Sequence, residues 1–289
     1  MAASLLARAT AFRDLHRGDG IFVMPNAWNA GSACMLEAAG FAAIGTTSAG
    51  IAFGLALPDY EGALSRDAAL EETRRIAAAV AVPVSADAEN GYGDDPEEVA
   101  DSIRLFAAAG VVGASIEDYS SGYGGLYERS LAAERIRAAR QAADALDFPF
   151  TLTARAECYL AGHAEAFDES VARANLYREA GADCLYVPGV RDAATIGALV
   201  EAIDGPLNVV MGLSGKPLSV AELEQLGVKR ISIGGALARS TFGVIRRAAE
   251  ELREHGTFDF AEQQVPDDEL CRFFSARIAA VDTPPKKPN

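Results

Sequence analysis

The run AAGVVGASIED, residues 108–118, holds the end of one element, a turn and the whole of the next. An alanine-rich helical pattern stops at Gly110, where glycine can take the left-handed conformation that ends a helix without Cβ strain. The apolar run that follows is too short for a helix, and it finishes in two acids. The same order recurs at AAGFAAIG around Gly40, EAGADCLYV around Gly181 and QLGVKRISI around Gly227. Working outward from these, the apolar runs are IFVMPNA from Ile21, AAIGTTS from Ala42, PVSADAE from Pro83 and VGASIED from Val112. FTLTARAE from Phe150, CLYVPG from Cys184, LNVVMG from Leu207 and RISIGG from Arg230 complete the set. Each is followed by a helical pattern, and such alternation calls for parallel strands joined by crossover helices. Asp95-Pro96, Ser65 and Ser219 supply helix starts. The fold class predicted is α/β, a (β/α)8 TIM-type barrel with an additional C-terminal helix. An open doubly wound sheet would carry a glycine fingerprint after its first strand, and MPNAWNAGS has none.

The chain is 289 residues long and 50% hydrophobic, enough for a large core and inconsistent with wholesale disorder. Residues 1–256 read as the barrel domain. Residues 257–289 read as a C-terminal helix and tail, in which Phe273, Phe274 and Ile278 need a surface to pack on, either the barrel rim or a neighbouring subunit. A net charge of −15 repels polyanions, so neither nucleic acid nor an anionic membrane is expected as a partner. The four cysteines form no C-x-x-C pair and suit a reducing compartment. The first residues lack the continuous apolar core of a secretory signal, and Asp14 with the early strand argues against a transit peptide. The expectation is a soluble, cytoplasmic protein.

In such a barrel the chemistry lies at the carboxyl ends of the strands. The third strand ends in Asp87-Ala88-Glu89, whose acids share one face if the strand continues, the fourth in Glu117-Asp118 and the fifth in Arg155-Ala156-Glu157. A long loop bearing Ser48, Gly50 and Asp59 follows the second. Each acid by itself would serve equally well as a cap for the next helix. Asp87, Glu89 and Glu117 together, with Arg155 beside them, point to a metal and anion site, and oxygen-only donors point to Mg²⁺ or Mn²⁺. His163, Cys158 and Lys216 read more simply as a solvated loop residue, a buried thiol and a mouth-side cation. GYGGLY (residues 122–127) and GLSGKP (residues 212–217) match neither a dinucleotide nor a phosphate loop.

With these residues in place the sequence resembles the isocitrate lyase/phosphoenolpyruvate mutase superfamily. MPNAWNAGSA, TTSAGIAFGLALPD, VPVSADAENGYGD, GVVGASIED and TARAE carry the resemblance, which runs from about Phe22 to Gly235. It implies an (α/β)8 barrel processing α-oxo acids on Mg²⁺. It implies that Asp87 is the main metal-binding aspartate, that Glu89 occupies the next metal-facing position, and that Glu117 lies at the metal's outer shell. Ser48, Ala49 and Gly50 would hold a substrate carboxylate, Arg155 would grip the substrate, Asp59 would stand near metal and substrate, and Asn208 is a weaker match to a polar substrate contact. Asp59, Arg155 and Glu117 are thus the catalytic candidates. Relatives assemble as oligomers, so the resemblance implies a homodimer or homotetramer, with a helix over Asp267–Ala280 exchanged between subunits.

The sequence departs from the lyases of that superfamily in its flap. Where they read Lys-Lys-Cys-Gly-His, this chain reads DYSSGYGGLYER over residues 118–129, with neither cysteine nor lysine. Gly122, Gly124 and Gly125 permit motion, and Tyr119, Tyr123 and Tyr127 are able to close over a ligand. The function expected is a Mg²⁺-dependent lyase that binds a small α-oxo acid such as pyruvate, oxaloacetate or 2-oxoglutarate, and makes or breaks a C–C bond through a metal-stabilised enolate. The alternatives are an oxaloacetate-type decarboxylase, a carbon–phosphorus enzyme of the phosphonopyruvate class, and an α-oxo-acid sensor with little turnover.

Overall fold

The structure, a computed structural model, describes residues 4–59, 62–213 and 215–282. Eleven strands are present among them: β1 (Phe22–Val23), β2 (Asn26–Ala27), β3 (Ile44–Thr46), β4 (Val84–Asp87), β5 (Gly113–Glu117), β6 (Tyr119–Ser120), β7 (Gly125–Leu126), β8 (Thr151–Arg155), β9 (Cys184–Tyr186), β10 (Leu207–Val210) and β11 (Arg230–Ser232). Nine of them form one parallel sheet in the order β1-β11-β10-β9-β8-β5-β4-β3-β2. The two ends of that order are halves of a single stretch, split at Met24-Pro25. Before the split, β1 pairs with β11; after it, β2 pairs with β3. Met24 N–H donates to Ile231 O at 2.7 Å and Pro25 O accepts from Gly45 N–H at 2.9 Å, so the changeover itself is bonded on both sides. Proline has no N–H to give a ladder and is tolerated where pairing passes from one neighbour to another. The sheet therefore closes into an eight-stave barrel, the TIM-type fold, with no free edge.

The helices are α1 (Leu5–Arg17), α2 (Ala30–Ala38), α3 (Ser48–Gly54), α4 (Arg66–Ala79), α5 (Pro96–Ala108), α6 (Arg129–Asp144), α7 (Ala166–Glu179), α8 (Ala193–Ala202), α9 (Val220–Gln225), α10 (Ala236–Glu254) and α11 (Asp267–Asp282). Ser65 and Ser219 cap α4 and α9, and Asp95 opens α5 with Pro96 at its first turn and Glu98 returning to the Asp95 N–H. Ile103 and Phe106 of α5 and Ile136 of α6 lie in the main core, which is otherwise largely alanine on its helical side. Small side chains let helices sit close to a tightly curved sheet.

α1 packs on the opposite end of the barrel from the strands' carboxyl ends. Phe12 and His16 are buried, and Gly113 leaves room for the Phe12 ring: a Cβ there would meet it at 2.8 Å. His16 Nδ1 lies 2.8 Å from Phe12 O, so that nitrogen carries the proton, and Nε2 accepts from Arg230 at 3.0 Å. Arg230 also donates to Asn208 Oδ1 at 2.8 Å and Thr153 Oγ1 at 3.0 Å.

The chain divides into two compact units, Leu5–Ala238 and one built mainly from Arg239–Asn289, so the division falls inside α10. In the second unit Glu251 accepts from Thr257 Oγ1 at 2.7 Å and from the Phe260 N–H at 3.1 Å, which fixes the turn after α10. Phe242, Ile245, Phe258 and Ile278 are exposed. Among the described residues no helix is long and apolar enough to cross a membrane.

Candidate active site

β4, β5 and β8 end in Asp87, Glu117 and Arg155, and parallel pairing sets Asp87 against Ser115 and Glu117 against Arg155. Arg155 holds the group together. Its Nη1 donates to Asp87 Oδ1 at 3.1 Å, its Nη2 lies 3.0 Å from Glu117 Oε2, and its Nε donates to Glu157 Oε1 at 2.7 Å. The guanidinium also lies over the Tyr186 ring, 5.1 Å from its centroid. Charge-assisted bonds of this kind from a planar fork fix direction as well as distance.

The second Asp87 oxygen accepts from both the N–H and the hydroxyl of Ser48, each at 3.0 Å. Ser48 stands there because Thr47 caps α3, its Oγ1 accepting the Gly50 N–H at 3.2 Å. The Ser48 and Gly50 donors expected for a substrate carboxylate thus have acceptors within the chain. Ala49 lies between them in the first turn of α3.

Glu89 reaches the cluster differently from expected. The strand stops at Asp87, so strand alternation does not govern Glu89, which turns at φ 47° and is brought back by the left-handed backbone. Its carboxyl, 3.5 Å from the Tyr92 hydroxyl, is pushed up to about 7. Burial is the largest cause, followed by the charges of Asp87 and Asp59, which places Asp59 within electrostatic reach of the site. Burial likewise raises Glu117 and Glu157 against the pull of Arg155. Arg155 moves above its usual value although burial alone would lower it, because Glu117, Glu157 and Asp87 surround it.

Two of the expected assignments involve residues already engaged within the chain. Among the described residues no three His, Cys, Asp or Glu side chains stand as a ready metal cage. Asp87 and Glu117 are each ion-paired with Arg155, at 3.1 and 3.0 Å. Asn208 directs its amide to Ser232 Oγ, at 3.0 Å, and to Arg230, in the network that ends on His16. It serves the α1 side of the barrel and bonds to none of the Arg155 group.

The donor chemistry nevertheless fits a hard divalent ion held through water. Carboxylate oxygen is the donor available from Asp87, Glu89 and Glu117, and with Glu157 four acids gather around the one Arg155 guanidinium.

The chain matches the family model of phosphoenolpyruvate phosphomutase over residues 12–253. It belongs to that family. Its fold-mates include a Burkholderia cenocepacia protein provisionally described as a lyase/mutase, with 51% identity, a TM-score of 0.91, and coverage of 94% of this chain and 97% of the other. 2,3-Dimethylmalate lyase, a member of the PEP mutase/isocitrate lyase superfamily, gives 28% identity and a TM-score of 0.83 over 96% of this chain and 99% of its own. The 2-methylisocitrate lyase of Escherichia coli is 28% identical, covering 88% of this chain and 87% of that one. This superfamily member is an enzyme, and its neighbours are lyases and mutases.

Several residues that shape the family site here escape a reading of strand ends alone. Buried Asp118 accepts from the Glu157 N–H at 2.8 Å, the Tyr177 hydroxyl at 2.5 Å and Arg173 Nη1 at 3.1 Å. Arg173 also donates to Tyr127 O at 2.9 Å, and Arg129 pairs with Glu169. The glycine- and tyrosine-rich segment forms the β6–β7 hairpin, with Tyr119 paired to Leu126 and Ser120 to Gly125, and those contacts anchor its return arm. Arg135 was findable as an arginine on the apolar face of its helix.

Proposed function

We propose that this enzyme is a carbon–carbon lyase acting on a small α-oxo acid, or on the hydroxy acid that yields one. The observation that carries the reading is the Arg155 group at the barrel mouth: one guanidinium gripped by Asp87, Glu117 and Glu157, with buried Glu89 and the charge of Asp59 within electrostatic reach. Membership of a lyase and mutase superfamily supports it.

Glu157 holds Arg155 from its Nε side, so the two Nη groups face the strand ends. A substrate carboxylate competes with Asp87 and Glu117 for those donors and is oriented by the same fork. The Ser48 hydroxyl and N–H, now on Asp87, mark the adjoining edge of the pocket. Glu89, pushed up to about 7, is a group able to hold or release a proton near a developing negative charge, and the charge of Asp59 acts on it. Asp87 and Glu89, supported by Glu117, would hold Mg²⁺ or Mn²⁺, which when bound neutralises the carboxylates and polarises a carbonyl oxygen. Such a site suits cleavage of the bond next to a carbonyl, in a lyase or an oxaloacetate-type decarboxylase. Residues 118–129 offer only Arg129, at the start of α6, as a basic group, and that residue is paired with Glu169, which disfavours carbon–phosphorus chemistry.

Turnover of oxaloacetate, 2-methylisocitrate, 2,3-dimethylmalate and phosphonopyruvate, with and without Mg²⁺, tests the proposal. Release of an oxo acid that Asp87→Ala abolishes is the expected result. Tight oxo-acid binding with no turnover of any of the four would instead make the protein a sensor. The exposed Phe258 and Ile278 suit a second copy of the chain, and deletion from Asp267 onward should lower the assembly state in light scattering.

A further inference from the structure

The turn that carries Glu89 is held in a conformation its own sequence disfavours. Glu89 and Tyr92, neither of them glycine, adopt φ 47° and 59°, with Gly91 at 87° between them. Side chains rarely occupy this region unless the surroundings leave no alternative. Here they leave none. Ala88 O accepts from Gly91 N–H at 2.8 Å, Glu89 O from Glu117 N–H at 2.9 Å, and Gly91 O from Ser102 Oγ at 2.6 Å. The remaining carbonyls of the turn go to one side chain: Arg135 of α6 donates to Asn90 O, to Asp94 O and, at 2.7 Å, to Gly93 O.

Arg135 is 1% exposed, and among the described residues all its hydrogen bonds run to these backbone carbonyls. A buried cation committed to carbonyls is an expensive way to pack a helix, and the expense points to a use. Its guanidinium lies 4.1 Å from the centroid of the Tyr127 ring, at the end of the hairpin. The Tyr127 hydroxyl donates to Asp94 Oδ1 at 2.6 Å and accepts from Asn90 Nδ2 at 2.9 Å, so ring and guanidinium grip the turn from two sides.

We propose that Arg135 and Tyr127 are positioning residues that aim Glu89 at Asp87, coupling the hairpin to the divalent-ion end of the site. This rests on the reading above that Asp87 and Glu89 bind such an ion. Among the described residues neither side chain hydrogen-bonds to Asp87, Glu117, Arg155 or Glu157; both act through the turn that carries Glu89. Lysine cannot replace Arg135, because a single ammonium does not present a planar fork to three carbonyls.

The test uses Tyr127→Phe, which keeps the stacked ring and loses the two hydrogen bonds, and Arg135→Lys, which keeps the charge. Mn²⁺ affinity by calorimetry and hydrogen exchange of the 88–95 segment are the readouts, with thermal melting as the control. Both variants should bind Mn²⁺ about tenfold more weakly and exchange faster over 88–95, while Tyr127→Phe melts within a few degrees of the wild type. Wild-type Mn²⁺ affinity in Tyr127→Phe overturns the positioning role. If the wild-type protein itself fails to bind Mn²⁺, the functional reading falls, and the clamp is then judged by exchange: unchanged protection of 88–95 in Tyr127→Phe overturns it.

Discussion

Arg155 is a charge that three acids need. Each of its donor nitrogens reaches a different carboxylate, and all four side chains lie in a largely water-free mouth. Replacing it by glutamine leaves those acids without a cation. Removing one partner of a buried ionic group typically destabilises by about 3–5 kcal/mol. The stranded carboxyls would relieve themselves by binding protons, so the folded variant holds more protons than its unfolded chain. Stability then falls as pH rises. Urea unfolding of Arg155→Gln should therefore show a deficit against wild type that widens from pH 5 to pH 8, and a constant deficit would disprove the account. Arg155→Lys should keep much of the stability but lose the fork, lowering kcat/KM by about a hundredfold through misplacement of the substrate. Asp87, Glu117 and Arg155 were legible because strand ends in a barrel are where its chemistry gathers. Glu89 was legible as a participant but for an incomplete reason, since strand alternation ends one turn too early. Asn208 shows that a polar residue on an inward-facing strand can serve a buried network, here with Ser232 and Arg230. Arg135 was invisible to a search of strand ends, although an arginine between Ala132, Ile136 and Ala139 on a buried helical face is itself a signal.

At the level of elements, two short pieces decide the shape of the site, and they differ in how tightly they pack at a glycine. α3 brings Ser48 to Asp87 because Gly50 lets its first turn press inward. A Cβ at Gly50 would meet Thr47 Cγ2 at 2.6 Å and Trp28 Cβ at 2.8 Å, closer than real contacts allow. Gly50→Ala should therefore lose about 1–3 kcal/mol in denaturant unfolding. It should also weaken ligand binding, because Ser48 moves with the turn. The hairpin supplies the contrast. At Gly122 a new Cβ would find Ser120 Oγ at 3.6 Å, an ordinary contact, so Gly122→Ala should change stability by no more than about 0.5 kcal/mol. Equal losses at the two positions would refute this assignment of packing roles. The sequence pattern located both pieces, since glycines next to candidate strand ends are visible without coordinates. It did not reveal that the hairpin's return arm is tied down by Arg173 and Tyr127, because those bonds join residues more than thirty-five positions apart.

The barrel as a whole is closed twice, once around its circumference by the split first strand and once across its floor by α1. The floor depends on the protonation state of one residue. His16 donates through Nδ1 to Phe12 O and accepts through Nε2 from Arg230, so both ring nitrogens are used only while the imidazole is neutral. Burial, and then the charge of Arg230, depress its pKa from 6.5 to about 3. In the unfolded chain the same histidine takes up a proton near pH 6.5. Above that pH neither state is charged and His16 contributes no pH dependence. As pH falls below it, the unfolded chain gains a proton that the folded one refuses, so stability declines by about 1.4 kcal/mol per pH unit until the folded-state value is reached. At pH 5 the loss from this source is about 2 kcal/mol. The carboxyl of Glu89, raised by burial to about 7, acts in the opposite direction between pH 5 and 7, so the wild-type profile alone does not isolate the term. The comparison that does is His16→Gln, whose amide can take up the same donor and acceptor roles without titrating. Its pH 8 stability will be somewhat lower because the ring packing against Phe12 and Phe22 is lost. Between pH 7 and pH 5 the difference between the two proteins should shrink or reverse by about 2 kcal/mol, read from urea midpoints at matched ionic strength. Parallel curves across that interval would mean that His16 is charged in the folded barrel and that Arg230 is held in place some other way.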